Sequence, residues 1–104
     1  MGGSGSGGYD PPRPASSCER LGFQAAVNSP QKDVLSVLDV GDVLDVVPSA
    51  PGPGVSVEYN GRIAGSLTGS HIAQLVTCMQ SGFEYKATVV KLNGGQCVVR
   101  VEAR

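Results

Sequence analysis

The sequence predicts a small α+β domain: a curled, mostly antiparallel sheet or barrel of five to six strands, packed by one amphipathic helix and a second short one. Three observations support this. Apolar and polar residues alternate in several short segments, glycine-rich turns separate two pairs of them, and one segment has helical apolar spacing. With 104 residues, 40% of them hydrophobic, the chain can bury one core. A large multidomain enzyme is therefore excluded.

The N-terminal residues 1–17 are predicted to be a linker and a disordered lead-in. Residues 1–8 contain only methionine, glycine and serine, a composition typical of flexible linkers. Residues 9–17 contain three prolines and little that could enter a core. The folded domain is therefore expected to comprise residues 18–104.

The first strand is predicted at 21–27, because every second residue there is apolar. The sequence Asn28-Ser29-Pro30 ends it, and Ser29 can cap a short helix that starts at Pro30. That helix would turn three apolar side chains inward, those of Val34, Leu35 and Leu38. A second strand follows at 43–47, ended by Pro48, and the Pro/Gly-rich stretch 48–54 is expected to be an irregular loop.

Residues 55–67 form the first predicted hairpin, for which two registers are open. A two-residue Asn-Gly turn sends Ile63 to solvent. A three-residue loop, 59–61, with its glycine in a bulge, instead pairs Val57 with Ile63 on the inward face. The second register is predicted because it buries more apolar surface, and it also turns Gly65 inward.

The second predicted hairpin, residues 83–103, turns at 93–95 and pairs Val89 with Val99 and Lys86 with Glu102. Between the hairpins lies the clearest helix, with Ser70 as a plausible cap and Gly82 as its terminating residue. Its apolar residues fall at helical spacing: Ile72, Leu75, Val76 and Met79.

This succession of elements resembles the HIRAN domains found beside helicase and nuclease modules. The resemblance covers roughly residues 20–103 and is carried by Leu38-x-x-Gly41-Asp42-x-Leu44, a Pro/Gly loop, Val55-x-Val57-x-x-x-Gly61-x-Ile63-x-Gly65-x-Leu67, an amphipathic helix and Tyr85-x-Ala87-x-Val89. It implies a small β-barrel that, in the helicase-associated branch, holds the 3′ end of single-stranded DNA. The polar stretch that the family has before the Val-x-Val strand is replaced here by Pro51-Gly52-Pro53-Gly54, so no DNA-end contact is carried over.

Charge is distributed unevenly along the chain. Residues 1–58 contain three basic and seven acidic residues, whereas residues 59–104 contain five basic and two acidic ones. Lys86 and Arg100 are expected to point outward on adjacent strands. The candidate nucleic-acid-binding residues are Arg62, Lys86, Lys91 and Arg100.

Three cysteines, Cys18, Cys78 and Cys97, lie far apart, with no C-x-x-C pair. Their odd number cannot form a closed disulfide framework, so a reducing, cytoplasmic setting is predicted. Cys78 and Cys97 are expected to serve as small apolar side chains. No apolar run approaches the ~18 residues that span a bilayer, and no membrane partner is expected.

No residue pattern indicates catalysis, a metal site or a cofactor. His71, with Ser70 and Cys78 nearby, supports only a weak enzyme hypothesis, because a base also needs an orienting partner and an oxyanion site. Three aspartates, Asp39, Asp42 and Asp45, lack the closing glutamate and fixed glycine of a calcium loop and are explained by turn chemistry. The protein is therefore predicted not to be an enzyme.

The predicted function is that of a non-catalytic interaction module. The leading hypothesis is a HIRAN-like accessory domain that binds single-stranded DNA, or docks a larger protein to it, through the 55–67 hairpin and the basic second half. The alternative is a protein–protein interaction domain without a nucleic-acid role, which uses loop 48–54 or a sheet edge. Salt dependence separates the two, because phosphate contacts weaken steeply as ionic strength rises. The oligomeric state is left open.

Overall fold

A computed structural model of the chain describes residues 14–49 and 54–104. Within these ranges, helices and strands follow one another in the order α1 (Pro14–Arg20), β1 (Gly22–Ala26), α2 (Lys32–Leu35), β2 (Val43–Pro48), β3 (Val55–Tyr59), β4 (Arg62–Leu67), α3 (Ile72–Gln80), β5 (Tyr85–Asn93) and β6 (Gln96–Ala103). None of the helices in these ranges is long and apolar enough to cross a membrane.

The six strands form one antiparallel sheet in the order β1-β6-β5-β2-β3-β4. The sheet curls until its two edge strands approach each other. Just past β1, the backbone of Asn28 exchanges hydrogen bonds of 2.8 and 2.9 Å with Ser66 on β4. The predicted fold class, a curled antiparallel sheet of five to six strands with one amphipathic helix and a second short one, is confirmed.

The core lies inside the curl and is built from the inward-facing half of each strand. The alternation predicted for 21–27 is confirmed, since Leu21, Phe23 and Val27 are buried. The same holds for Val34, Leu35 and Leu38, which α2 and the turn after it direct inward. The side chains at 2% exposure or less on the other strands and α3 are those of Leu44, Val55, Val57, Ala64, Leu67, Leu75, Cys78, Tyr85, Ala87, Val89, Cys97, Val99 and Val101.

Gly65 makes the close approach of the two edges possible. A β-carbon there would lie 2.7 Å from the carbonyl oxygen of Asn28, closer still to Cγ1 of Val27, and 3.4 Å from Cα of Pro30. The buried position predicted for Gly65 is confirmed. Its neighbour across the curl is the segment after β1. That segment can lie against the backbone of Gly65 because glycine has no side chain.

The register of the β3–β4 hairpin differs from the predicted one. Its turn has two residues, 60–61, and Ile63 points to solvent with 53% exposure. The pairing then skips Ala64, so that Val57 lies opposite Gly65. The predicted pairing of Val57 with Ile63 was therefore wrong. The bulge sits inside the strand instead of in the loop and returns the rest of β4 to the inward register.

The β5–β6 hairpin has the predicted pairing at its open end. Val89 lies opposite Val99, and Lys86 opposite Glu102. The turn has two residues, 94–95, instead of three, and the register shifts at Val90. A bulge in the strand compensates the shorter turn, as it does in β3–β4.

The helix boundaries differ from the predicted caps. Ser29 has a positive φ of 49° and caps nothing, and α2 starts after Gln31. The N-cap of α3 is His71 instead of Ser70. The end of α3 is as predicted: Gly82 adopts φ 100°, and the N–H of Phe83 reaches back to the oxygen of Cys78 at 3.2 Å. This is a Schellman termination, which requires the left-handed backbone that glycine adopts without strain.

Helix α1 begins at Pro14, inside the stretch predicted to be a disordered lead-in. A disulfide joins Cys18 to Cys78, whose Cα atoms are 5.5 Å apart, and ties α1 to α3. The buried hydroxyl of Tyr85 donates a 2.6 Å hydrogen bond to the backbone oxygen of Cys18. Residues 14–17 of the predicted lead-in belong to α1, and both contacts of Cys18 join residues 60 or more apart in sequence. The rest of that prediction concerns residues 1–13, which lie outside the described residues.

The cysteines are used differently from the prediction. Cys78 forms a disulfide with Cys18 instead of being an unpaired apolar side chain. An odd number of cysteines therefore did not exclude one disulfide. Cys97 is the third cysteine, a free and fully buried thiol, as predicted. The premise of the cytoplasmic prediction, three unpaired cysteines, does not hold.

Gly65→Ala should lower the free energy of unfolding by about 1–3 kcal/mol, because the new methyl group overlaps Val27 and the Asn28 carbonyl. Urea denaturation followed by circular dichroism measures this. Gly54→Ala is the control, since among the described residues a β-carbon at 54 meets Ser49, at ordinary contact distances of 3.8 Å. Equal stability of the two variants would contradict closure at Gly65.

Removing the disulfide with Cys18→Ala and Cys78→Ala should lower the free energy of unfolding by about 2–4 kcal/mol, as expected for a crosslink closing a long loop. Thermal unfolding with and without dithiothreitol checks this. The reductant should destabilise the unmodified chain and leave the double variant unchanged. A reductant effect of the same size on both chains would count against the bond.

Stability should fall at alkaline pH. Burial raises the pKa of the Tyr85 hydroxyl above its ordinary 10.0 and that of the Cys97 thiol above 9.0. Above those ordinary values the unfolded chain loses protons that the folded chain keeps, so the unfolding free energy decreases as pH rises through the folded-state pKa values. Urea titrations from pH 7 upward measure the slope. Tyr85→Phe should flatten it, and an unchanged slope in that variant would refute the assignment.

Candidate functional site

Four exposed large apolar side chains lie on the turn between α2 and β2, at the start of β2 and on β5, the strand that pairs with β2. Val37, Val40, Val43 and Val90 have exposures of 54%, 62%, 46% and 38%. Among the residues that the structure describes, Ile63 is the remaining large apolar side chain that is exposed. We refer to the four valines as the valine corner. Large apolar side chains left exposed on neighbouring segments can mark an interaction site.

Backbone hydrogen bonds hold the valine corner together. The turn that carries Val40 is fastened to β5 by the N–H of Gly41, which donates to the oxygen of Val89 at 2.8 Å. The N–H of Val89 donates in turn to the oxygen of Asp42 at 2.8 Å. Val90 follows directly on β5. Valines from the turn and from the strand are therefore fixed next to each other by the sheet itself.

A surface groove of about 540 Å³ adjoins the valine corner. We call it the hairpin groove, because the tip of β5–β6 forms one wall and α2 the other. The lining includes three leucines, of which Leu92 is half-buried and Leu35 and Leu38 are buried, and Lys32 is its charged residue. Ser36 and Leu38, which flank Val37 in sequence, both line it. The groove therefore begins next to Val37 in the chain, with Lys32 as a cation in its lining.

The candidate nucleic-acid-binding residues do not form one basic patch. Lys86 stands between Glu102 on β6 and Asp45 on β2, directly opposite each in the register. Arg100 lies on the adjacent strand, with Nε 4.0 Å from Oε1 of Glu102. Each of these two cations therefore has a carboxylate neighbour that reduces its field.

The other two candidates lie apart from this pair. Arg62, at the start of β4, forms an ion pair with Asp33 of α2. Lys91 is on β5 opposite Val98, beyond the bulge at Val90. The structure thus brings Lys86 and Arg100 together and places Arg62 on a different strand at the far side of the sheet.

The residues considered for catalysis have structural roles. The ring of His71 stacks on that of Phe23, with centroids 4.6 Å apart and planes inclined by 9°. The sulfur of Cys78 is bonded to Cys18 and is not a free nucleophile. His71 thus covers the edge of the core at the start of α3.

The three aspartates make separate contacts. Asp42 accepts a 2.8 Å hydrogen bond from the N–H of Asp39, which shapes the turn between α2 and β2. Asp45 pairs with Arg104 at 2.6 Å. The interpretation as turn and surface chemistry fits these contacts.

The protein-docking alternative named loop 48–54 and the sheet edges, and one of these edges is already paired. The β4 edge is covered, since Asn28 bonds Ser66 and the N–H of Gln31 donates to the oxygen of Ala64 at 2.8 Å. Just after β1, the N–H of Val27 donates to the oxygen of Cys97 on β6. The backbone groups of every second residue on β1 therefore point away from β6. This leaves a short outward-facing edge at 22–26. Of the loop 48–54, residues 50–53 lie outside the described residues.

Sequence reasoning missed the valine corner. Val37, Val40 and Val43 recur every third residue, with Asp39 and Asp42 among them. That spacing departs from the alternation of a strand, and it could have signalled apolar side chains left outside the core. Val90 follows the alternation of β5, in which Tyr85, Ala87 and Val89 face inward, so its outward position was predictable from the sequence.

In comparisons with family models, curated proteins and solved structures, none matches the chain. The resemblance to HIRAN domains therefore stays a prediction from residue spacing.

Proposed function

We propose that this domain is a non-catalytic protein-interaction module that docks an apolar segment of a partner protein on the valine corner and the hairpin groove. The observation that carries the proposal is the exposure of four valines on the turn before β2, on β2 and on β5, together with a groove whose lining includes the residues on either side of Val37. This is the protein-docking alternative of the function predicted from sequence, at a different surface from the loop or sheet edge named there.

The energetics favour an apolar partner. Covering a half-exposed valine removes apolar surface from water at roughly 25 cal/mol per Å². Val40 and Val43 are 62% and 46% exposed on a turn and strand start that Gly41 and Asp42 hold to β5 by backbone hydrogen bonds, so a partner can reach both. Lys32 at the border favours a partner segment with a carboxylate next to its apolar side chains.

A nucleic-acid role has less support from this surface. Single-strand binding proteins combine a basic groove with exposed aromatic rings on which bases stack. Here Phe23 and Tyr85 are buried in the core, and the partly exposed rings of Tyr59 and Phe83 lie on separate segments. Lys86 and Arg100 lie beside carboxylates. Binding of single-stranded DNA would therefore favour the nucleic-acid function over the protein-docking function.

The setting proposed for the folded chain is an oxidising compartment, in place of the cytoplasmic one predicted from sequence. The Cys18–Cys78 bond carries this proposal, because disulfides persist in secreted, lumenal and periplasmic proteins and are rare in the cytosol. The buried thiol of Cys97 is shielded from exchange with it.

Peptide display on the folded domain tests the proposed function. Selected peptides should be rich in apolar residues and should shift the methyl signals of Val37, Val40, Val43 and Val90. Val40→Thr with Val43→Thr should weaken binding about tenfold, through lost apolar contact. Ile63→Thr on β4 is the control, because Ile63 is as exposed as the valines but does not line the hairpin groove, and it should bind normally. Peptides that map elsewhere, or a concentration-dependent dimer through the corner, would overturn the proposal.

The nucleic-acid alternative is tested with short single-stranded DNA at about 50 mM salt, where phosphate contacts are strongest. The proposal expects no binding that depends on Lys86 and Arg100. Salt-sensitive binding that is lost in Lys86→Glu with Arg100→Glu would instead establish the nucleic-acid function. Circular dichroism of the double variant confirms that the fold is intact.

A further inference from the structure

A second groove lies where β2 and β5 diverge. The two strands pair only at 43–45, and β2 then continues to Pro48 beyond the start of β5 at Tyr85. The space between them forms a groove of about 360 Å³. We call it the splay groove. Pro48, where the loop 48–54 begins, is part of its lining.

The floor of the splay groove is apolar. Val46 comes from β2, and Met79 and Phe83 come from the end of α3 and the turn after it. Met79 and Phe83 pack against the core and are only partly buried, so part of each side chain faces the groove. A flexible thioether beside an aromatic ring can adapt to different apolar side chains.

The border of the splay groove is acidic. Three carboxylates line it, those of Asp45, Glu58 and Glu84. Asp45 and Glu58 lie directly opposite each other on β2 and β3, an arrangement of like charges that is unfavourable by itself. A cation placed between them would remove this repulsion.

One guanidinium already occupies part of this border. Arg104 pairs with Asp45 at 2.6 Å and donates its backbone N–H to the oxygen of Glu84 at 2.9 Å. In the part of the chain that the structure describes, no ion pair involves the carboxylates of Glu58 and Glu84. The lining therefore keeps two negative charges beyond the one that Arg104 balances.

We propose that the splay groove is a docking site for a short extended peptide that has an apolar side chain followed by lysine or arginine. The apolar side chain lies on Val46, Met79 and Phe83, and the cation pairs with Glu58 or Glu84. Arg104 shows how a guanidinium engages this border, since its contact with Asp45 is the intramolecular form of the same interaction.

The splay groove differs from the hairpin groove in position and charge. Residues 84–85 line the first and residues 92–96 the second, so they lie at opposite ends of the β5–β6 hairpin. At about 3.3 Å per residue, roughly 25 Å separates them. Two ligands of opposite charge could thus bind at once, and the domain would act as an adapter between them.

Fluorescence polarisation of a labelled, capped peptide Leu-Lys-Leu-Arg tests this inference, with Leu-Glu-Leu-Glu as the comparison. The basic peptide should bind, should shift the methyl signal of Met79, and should bind less tightly as salt is added. The acidic peptide should not bind. Equal binding of both peptides, or an unmoved Met79 methyl, would refute the proposal.

Variants locate the interaction. Glu58→Gln with Glu84→Gln should weaken the basic peptide about fivefold, the effect of two exposed ion pairs. Glu102→Gln, an exposed carboxylate outside the groove, is the matched control. Arg104→Ala should tighten binding, because it frees Asp45. If Glu102→Gln weakens binding equally, the peptide is responding to overall charge and the site is wrong.

Binding of the basic peptide to the splay groove can be tested separately from the proposed function. Val40→Thr with Val43→Thr leaves every residue of the splay groove unchanged and should not affect the basic peptide. Loss of apolar-peptide binding in that variant, together with retained basic-peptide binding, would show two separate sites. Loss of both would refute the adapter arrangement.

Discussion

The close passage of the segment after β1 over Gly65 is the contact on which the rest of the structure depends. It brings Asn28 within hydrogen-bonding distance of Ser66 and so joins the two edges of the sheet. Without that junction the sheet would open, and the inward faces of the strands would lose the enclosure that keeps them dry. The bulge at Ala64 serves the same closure, because it turns β4 so that its glycine faces the crossing segment.

The disulfide and the buried tyrosine add further stabilisation to the closed sheet. A domain of this size has a small core, and crosslinks commonly supplement such cores. Cys18 connects α1 covalently to α3, while Tyr85 anchors the same turn to the sheet through a hydrogen bond. Helix, sheet and second helix are thus joined at one residue, which explains how a seven-residue helix is kept in place.

The surface divides into three chemically different parts. The outer face of the sheet alternates charges across strands, as in Glu102, Lys86 and Asp45, and such mixed surfaces favour solubility over specific binding. The valine corner is apolar, and the splay groove combines an apolar floor with an acidic border. Apolar surface that the fold leaves uncovered is the better indicator of a docking function.

The sequence by itself determined the strand alternation, the helical stripe of α3, its glycine end and the pairing of Val89 with Val99, because these follow from local periodicity and turn chemistry. Only the tertiary structure decided the bulges, the disulfide and the position of α1. A bulge changes side-chain parity by one residue, and the cysteine pair spans 60 residues. The candidate basic residues were correctly placed on strands, yet their carboxylate neighbours come from other strands. The docking surfaces likewise arise where distant segments meet, which no local pattern encodes.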